Sequence, residues 1–430
     1  MVALAPGKIY IETFGCSLNL SDTEFLAGEL LKKGFTLSSL DEADIIIVNT
    51  CAVKEPTERK VLNYLRRIDK LDKVKIIAGC LPKVNLESVK KAIPSFNAVI
   101  APSAYPRISE VLEAVLNGVK GLIVDDVLQP PLLRDFQAKN KIGIIPIAYG
   151  CLSECAYCCV RLARGRLRSY SISEITEYAS RLVERGCVEL WLTAQDTAAY
   201  GLDINTDLSR LISVVNMIPG DFKVRVGMMN PKNAYKIISP LIEAFSGDKI
   251  YKFIHIPVQS GDDDILKKMN RGYNVTVFRD IINKFRERHP SITVSTDIIV
   301  GFPGESEIQF ENSLKLIRTI QPDIVNISRY GDRPGAYSVN LPGKIRGSVI
   351  KKRSRILTEL VREISLEKNS KWLNWTGEAR IVEEAPRNGY IARNYAYKPI
   401  FLKSNQIKIG EKYLIRVIDY KPGYLIGELA

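Results

Sequence analysis

The chain has 430 residues, 46% of them hydrophobic, and this length and composition predict about two to four folded domains. No apolar run approaches about 18 residues and no signal-peptide pattern opens the chain, so we expect neither a membrane span nor export. Eight cysteines are too few for a disulfide scaffold, which favours a cytoplasmic protein. Lys and Arg number 61 against 48 Asp and Glu. A net charge of +13 favours a polyanionic partner without establishing one.

The first quarter of the chain alternates short apolar runs with helical patterns. Strands are predicted at 8–13, 43–49, 74–78 and 98–101, and helices at 21–33, from 57, at 86–92 and at 107–117. This alternation predicts a parallel α/β domain.

Three cysteines of this region, Cys16, Cys51 and Cys80, each lie just past the carboxyl end of a predicted strand. Open α/β sheets build their sites at that edge, so cysteines far apart in sequence can converge there. The alternative is three unrelated buried thiols, a common fate of cysteine.

A stretch at 125–140 with two adjacent prolines predicts a linker. Six further βα repeats follow it, with strands predicted at 142–148, 188–192, 223–226, 251–256, 292–300 and 324–328, and helices such as 173–185 and 307–320. Six repeats indicate an incomplete version of the eight-unit barrel, in which chemistry takes place at the carboxyl ends of the strands.

The most informative motif is Cys-Leu-Ser-Glu-Cys-Ala-Tyr-Cys, which begins at Cys151 and includes Cys155 and Cys158. Three thiolates can hold three irons of a cubane and leave the fourth iron open to a ligand. The spacing resembles the radical S-adenosylmethionine (radical SAM) superfamily. A zinc site and a chance cluster of thiols are the alternatives. Cys159 and Cys187 fall outside both triads and are expected to be structural.

A helix is predicted at 348–369, and short alternating runs at 377–430 then predict a small all-β barrel. Basic residues are interleaved there with tyrosines, a pattern that suits stacked bases and phosphates but also an ordinary solvated face. On the first interpretation, Arg393 and Lys398 are the candidate contacts to an RNA backbone.

Nearly the whole chain resembles the methylthiotransferase family of radical SAM enzymes. The fragments that carry this resemblance are Thr-Phe-Gly-Cys-Ser-Leu-Asn (13–19), Val-Asn-Thr-Cys-Ala-Val (48–53), His-Ile-Pro-Val-Gln-Ser-Gly (255–261) and Thr-Asp-Ile-Ile-Val-Gly-Phe-Pro-Gly-Glu (296–305). The resemblance implies an N-terminal cluster domain (1–124), a radical SAM domain (137–368) and an RNA-binding TRAM domain (369–430). It also implies two [4Fe-4S] clusters, an auxiliary one on Cys16, Cys51 and Cys80 and the radical SAM one on Cys151, Cys155 and Cys158.

Other fragments are similar to the archaeal and eukaryotic branch, which acts on N6-threonylcarbamoyladenosine at position 37 of tRNA, beside the anticodon. They lie at 53–58, 194–201 and 225–231, whereas Ser17 and the segment after Asp332 depart from the family pattern. The alternatives are the branches that act on isopentenyladenosine in tRNA or on ribosomal protein S12. The implied partners are a tRNA substrate, an electron donor and a sulfur source, with no membrane.

The resemblance further implies that SAM is both the radical source and the methyl donor, and that no side chain acts as an acid or base. A 5′-deoxyadenosyl radical would abstract the C2 hydrogen of the adenine, and a methylated sulfur from the auxiliary cluster would replace it. The candidate cofactor-binding residues are Tyr157, Gln195, Asp196, Gln259, Ser260 and Asp297. Apart from Tyr157, they are expected at or near strand ends of the partial barrel.

Overall fold

The computed structural model describes residues 7–125, 141–386, 389–404 and 406–430. The chain divides into two compact units. One contains the described residues before 126 together with Tyr149–Arg168 and Gly331–Val339, and the other contains the remaining residues. The predicted linker after Asp125 and the predicted boundary at 137 lie outside the described residues, and the division into three domains stays a prediction.

The first unit is built on a six-stranded parallel sheet with the strand order β2-β1-β3-β4-β5-β6. These strands are β1 (Lys8–Thr13), β2 (Thr36–Leu37), β3 (Ile45–Thr50), β4 (Val74–Gly79), β5 (Ala98–Ile100) and β6 (Leu122–Val124). All six residues of β3 are buried, as expected for a central parallel strand that is covered on both faces. The predicted parallel α/β domain is confirmed.

The helices of this unit are α1 (Ser17–Lys32), α2 (Glu55–Asp69), α3 (Cys80–Ala92), α4 (Ile108–Leu116) and α5 (Val160–Arg164). Two starts differ from the prediction, because α1 begins before residue 21 and α3 begins before residue 86. The first turn of α3 contains Pro82, and the helix is interrupted by non-helical dihedral angles at Asn85. The start of α3 therefore shows no regular apolar period from which a helix could be predicted. As a result, Cys16 and Cys80 both stand at helix starts.

The second unit contains six parallel strands in two three-stranded sheets, β7-β10-β11 and β12-β13-β14, and an isolated parallel bridge joins Val224 to Ile250 between them. These strands are β7 (Ile142–Pro146), β10 (Glu189–Thr193), β11 (Lys223–Val226), β12 (Phe253–His255), β13 (Thr293–Val300) and β14 (Ile324–Arg329). The short strands β8 (Ala148–Tyr149) and β9 (Arg168–Ser169) flank in sequence the loop that contains Cys151, Cys155 and Cys158. The predicted incomplete barrel of six units is confirmed.

The helices of the second unit include two that begin with a capping box, at Ser171 and at Ser306. The α-helices of this unit are α6 (Ile172–Glu184), α7 (Leu208–Met217), α8 (Pro231–Lys236), α9 (Ile238–Ala244), α10 (Asp263–Lys268), α11 (Val275–Arg288), α12 (Glu307–Ile320) and α13 (Gly347–Ser370). No helix among the described residues combines the length and the apolar character needed to cross a bilayer.

The C-terminal strands close into a small barrel with the order β15-β16-β17-β19-β18, which confirms the predicted all-β barrel. The strands are β15 (Thr376–Ala385), β16 (Gly389–Arg393), β17 (Pro399–Leu402), β18 (Lys412–Lys421) and β19 (Tyr424–Leu429). Register shifts in β15 and β18 mark bulges that bend the long strands. Its identity as a TRAM domain stays a prediction.

Candidate metal centres

The three N-terminal cysteines converge at the carboxyl edge of the first sheet. Cys16 precedes α1, Cys51 directly follows β3, and Cys80 begins α3, while β1, β3 and β4 are neighbours in the sheet. Burial raises the pKa of Cys51 to about 12, and charges on Cys80 and Cys16 add to this shift. The three sulfurs therefore lie within electrostatic reach of one another, and their role as cluster ligands stays a prediction.

The backbone before Cys80 requires glycine. Gly79 has a φ of 100°, and a Cβ atom there would lie 2.3 Å from the carbonyl oxygen of Thr50. The strand β4 therefore turns sharply into α3 against β3. This close approach places the Cys80 thiol beside the end of the strand that leads to Cys51.

The second triad lies in the loop before α5. The amide of Ser153 donates a hydrogen bond to the Cys151 sulfur at 3.3 Å, and the amide of Val160 donates one to the Cys158 sulfur at 3.4 Å. Burial raises the pKa of Cys158, and the charges of Cys155 and Cys151 raise it further. Backbone donors aimed at sulfur suit thiolates, and the structure brings these three cysteines together as well.

Each triad offers three thiols, the ligand type that iron–sulfur clusters take. All eight cysteines lie in the described part of the chain, and none forms a disulfide. Among the described residues, no three His, Cys, Asp or Glu side chains are placed to hold one ion. Around one tetrahedral ion with ~2.3 Å bonds, sulfurs would lie about 3.8 Å apart. In a cubane each cysteine would bind a different iron, so three soft thiolates from separate positions suit that group.

A buried arginine from the second cysteine loop contacts the first triad. Arg164 ends α5, and its Nε donates a hydrogen bond to the Cys80 sulfur at 3.3 Å. Its Nη2 donates to Asn19 Oδ1 at 3.0 Å and lies 2.6 Å from Asp22 Oδ2. Asn19 Oδ1 also accepts a 3.6 Å hydrogen bond from the Cys16 thiol. No local sequence pattern indicates this network.

The two cysteines outside the triads are placed as predicted. Cys159 is buried in a hydrophobic cluster with Val61 and Leu81, and its thiol donates to the carbonyl oxygen of Ala52 at 3.5 Å. Cys187 is also buried, two residues before the start of β10. These positions favour a structural role for both.

The predicted cofactor contact Asp196 is already engaged within the protein. Its Oδ1 accepts hydrogen bonds from the amides of Asn230 at 2.8 Å and Ala198 at 3.1 Å, and its Oδ2 accepts one from the Asn233 side chain at 2.8 Å. Both oxygens accept hydrogen bonds that tie strand ends together and the side chain is buried, and its role as a SAM contact stays a prediction. By contrast, Gln195 Oε1 is buried and lacks a hydrogen-bond partner among the described residues.

The other candidate contacts occupy different environments. Gln259 is buried in a left-handed conformation with a φ of 74°, and Ser260 is buried beside it. Asp297 Oδ2 lies 2.9 Å from Nε2 of His255, a partly buried neighbour that the sequence analysis missed. Tyr157 is half-buried in the loop of the second triad. The roles of all four predicted residues stay predictions.

The two predicted RNA contacts need correction. Lys398 is buried, and its Nζ lies 2.7 Å from Asp323 Oδ1 and 3.0 Å from Asn369 Oδ1. The Arg393 side chain is only 11% exposed and lies beside Glu189 and Glu383. These cations neutralise carboxylates inside the second unit, so they are poorly placed to meet a phosphate backbone. Their spacing among tyrosines in sequence gave no sign of these distant acidic partners.

Comparisons with known proteins match the region of each cysteine triad. Residues 8–101 match a family model described as "Uncharacterized protein family UPF0004", and residues 145–317 match the radical SAM superfamily model. The chain is 40% identical to a probable threonylcarbamoyladenosine tRNA methylthiotransferase of Pyrococcus horikoshii, over 98% of this chain and 99% of that protein. The chain belongs to the threonylcarbamoyladenosine tRNA methylthiotransferase family.

Members of this methylthiotransferase family from distant organisms also match nearly the whole of this chain. The relative from Methanothermobacter thermautotrophicus is 38% identical over 98% of this chain and 99% of its own length. That from Drosophila melanogaster is 32% identical over 99% of this chain and 79% of its own length. Among solved structures, the radical S-adenosylmethionine methyltransferase TsrM of Kitasatospora setae superposes with a TM-score of 0.56 at 13% identity, over 78% of this chain and 74% of that chain. At that identity the likeness concerns the fold alone.

Proposed function

We propose that this protein is a tRNA methylthiotransferase that converts N6-threonylcarbamoyladenosine at position 37 to its 2-methylthio derivative. Relatives with this name in archaea and eukaryotes match nearly the whole chain. The structural observation that carries the proposal is the presence of two cysteine triads in one compact unit, in which Arg164, from the helix after the second triad, donates a hydrogen bond to Cys80 of the first. A protein with a single open cluster would not need the second triad.

The reaction explains why the site is made of thiols rather than of acids and bases. The C2–H bond of an adenine is unactivated, so no titratable side chain can remove this hydrogen as a proton at a useful rate. When bound, two [4Fe-4S] clusters and SAM would supply the radical that removes this hydrogen and the methylthio group that replaces it. Cys16, Cys51 and Cys80 would hold one cluster, and Cys151, Cys155 and Cys158 would hold the other.

The remaining task of the chain is to bind and orient the substrates. Gln195 Oε1 has no hydrogen-bond partner among the described residues and is proposed to accept one from the ammonium group of SAM. Asp196 holds the loops after β10 and β11 together. Asp297 is hydrogen-bonded to His255 and is proposed to contact SAM. Tyr157, Gln259 and Ser260 are proposed to complete the SAM site.

The C-terminal barrel is proposed to bind tRNA as a TRAM domain. With Arg393 and Lys398 buried, the basic residues available to phosphates are exposed ones such as Lys403 and Lys408, in the loop between β17 and β18. The net charge of +13 supports a polyanionic substrate. A cytoplasmic location, an electron donor and a sulfur source belong to the same proposal, as does the division into domains at 1–124, 137–368 and 369–430.

The experiment is a comparison of substrates. Anaerobically reconstituted protein receives SAM, a reductant, sulfide and one of three acceptors: tRNA with threonylcarbamoyladenosine, tRNA with isopentenyladenosine, or ribosomal protein S12. We expect the methylthio product, detected by mass spectrometry, from the first acceptor only. Product from either of the other acceptors, with none from the first, would assign the chain to a different branch of the family.

A further inference from the structure

Arg164 belongs by sequence to the radical SAM loop but by contact to the auxiliary triad. It follows Cys158 at the end of α5, and α5 packs on α3, the helix that begins at Cys80. The guanidinium therefore reaches the sulfur of an auxiliary ligand, while the helix that carries it begins at Val160, shortly after the last ligand of the other triad.

The guanidinium is held rigidly. Asp22 and Arg164 are almost completely buried, with side-chain exposures of 0% and 2%. The hydroxyl of Tyr149 donates a hydrogen bond to Asp22 Oδ1, and the Arg164 guanidinium carbon lies 5.5 Å from the centre of the Tyr149 ring. Asn19 is fixed in turn, because its Nδ2 donates to the carbonyl oxygens of Phe14 and Thr50. A planar guanidinium with several fixed acceptors has little freedom to move away from Cys80.

One nitrogen of the Arg164 guanidinium has no hydrogen-bond acceptor among the described residues. This atom, Nη1, is buried. Buried donors in folded proteins normally find an acceptor, so this N–H group calls for one supplied by a bound group or by water. Sulfur atoms bound to iron accept hydrogen bonds and carry negative charge, which a guanidinium stabilises.

We propose that Arg164 is a positioning residue of the auxiliary cluster, which fixes Cys80 through Nε and Cys16 through Asn19, and whose charge stabilises the reduced form of that cluster. The inference rests on the cluster assignment in the proposed function. It adds that a residue of the helix after the radical SAM loop forms part of the auxiliary site.

The test uses the full chain with Cys151, Cys155 and Cys158 changed to Ala, so that only the auxiliary cluster remains. In this background we compare Arg164→Gln, Arg164→Lys and Tyr149→Phe by iron content and by the midpoint potential of the cluster from an electron paramagnetic resonance titration. Tyr149→Phe is the matched control, because it removes a hydrogen bond from the same buried network without touching the Arg164 to Cys80 contact.

We expect Arg164→Gln to shift the midpoint to a more negative potential, since the variant loses a positive charge and an N–H···S hydrogen bond. Arg164→Lys should give a smaller shift in the same direction, because it keeps the charge but cannot contact Cys80, Asn19 and Asp22 together. Tyr149→Phe should leave the midpoint unchanged. If Arg164→Gln does not take up iron, the shift in Arg164→Lys decides the question.

Several results would overturn the inference. These are an unchanged midpoint in Arg164→Lys, an unchanged midpoint in Arg164→Gln with full iron content, or an equal shift in Tyr149→Phe, which would make the effect general to the network. A background protein that binds no iron would instead refute the auxiliary cluster itself, and with it the proposed function. The two failures are therefore distinguishable.

Discussion

At the residue scale, the geometry of the auxiliary triad depends on the backbone as much as on the thiols. Gly79 lets β4 pass within contact distance of Thr50 before Cys80 begins α3. The convergence of the cysteines could be predicted from the sequence, because each followed a predicted strand. The role of Arg164 could not, because its contact with Cys80 depends on the packing of α5 on α3, which no local pattern encodes.

We expect Gly79→Ala to disrupt the auxiliary site. The added methyl group would collide with the Thr50 backbone at a positive φ, so the variant should lose more than about 1 kcal/mol of stability and should bind less iron at this site. Gly118→Ala is the matched control, because Gly118 also has a positive φ but a Cβ atom there would meet nothing within 4 Å. Iron analysis after reconstitution checks the prediction, and equal iron content in both variants would contradict it.

Lys398 gives a second prediction at this scale. Lys398→Ala would leave the buried Asp323 carboxylate without its cation, a change that typically costs about 3–5 kcal/mol. The exposed Lys403→Ala should change stability by no more than about 0.5 kcal/mol. Urea unfolding midpoints of the two variants provide the measurement. A Lys398→Ala variant as stable as Lys403→Ala would show that this ion pair does not hold the barrel in place.

At the element scale, the parallel strands were the most predictable part of the molecule. The strands β1 and β11 and the helix α12 coincide with the predicted bounds, because short apolar runs alternate with clear amphipathic helices. The start of α3 was missed, since its first turn carries Cys80, Leu81 and Pro82 and shows no helical period. Lys398 was wrongly predicted to contact RNA, because its partner Asp323, which precedes β14, is far away in sequence.

The two cysteine loops should be separable by mutation. Changing Cys151, Cys155 and Cys158 together to Ala should abolish formation of 5′-deoxyadenosine from SAM, and iron should fall from about eight to about four atoms per chain on the two-cubane interpretation. The matched variant with Cys16, Cys51 and Cys80 changed to Ala should lose the same amount of iron but retain SAM cleavage. Persistent 5′-deoxyadenosine in the first variant would refute the assignment of the radical SAM ligands.

At the scale of the whole molecule, the excess of positive charge should strengthen tRNA binding and make the affinity depend on salt concentration. Changing Lys403 and Lys408 together to Glu should weaken tRNA affinity, and removal of each phosphate interaction should reduce the slope of log affinity against log salt by about 0.9. Lys33→Glu, at an exposed site of the first unit, should change both quantities less. Filter binding at several salt concentrations provides the measurement, and unchanged slopes in the double variant would place the RNA surface elsewhere.

The most direct measurement is nucleoside mass spectrometry of tRNA from a strain that lacks this gene, complemented with the intact protein or with either triple-alanine variant. The account predicts that only the intact protein restores 2-methylthio-N6-threonylcarbamoyladenosine, while the unmethylthiolated nucleoside accumulates in both variants. Restoration of the methylthio product by a variant that lacks either triad would contradict the claim that both triads are required for this reaction.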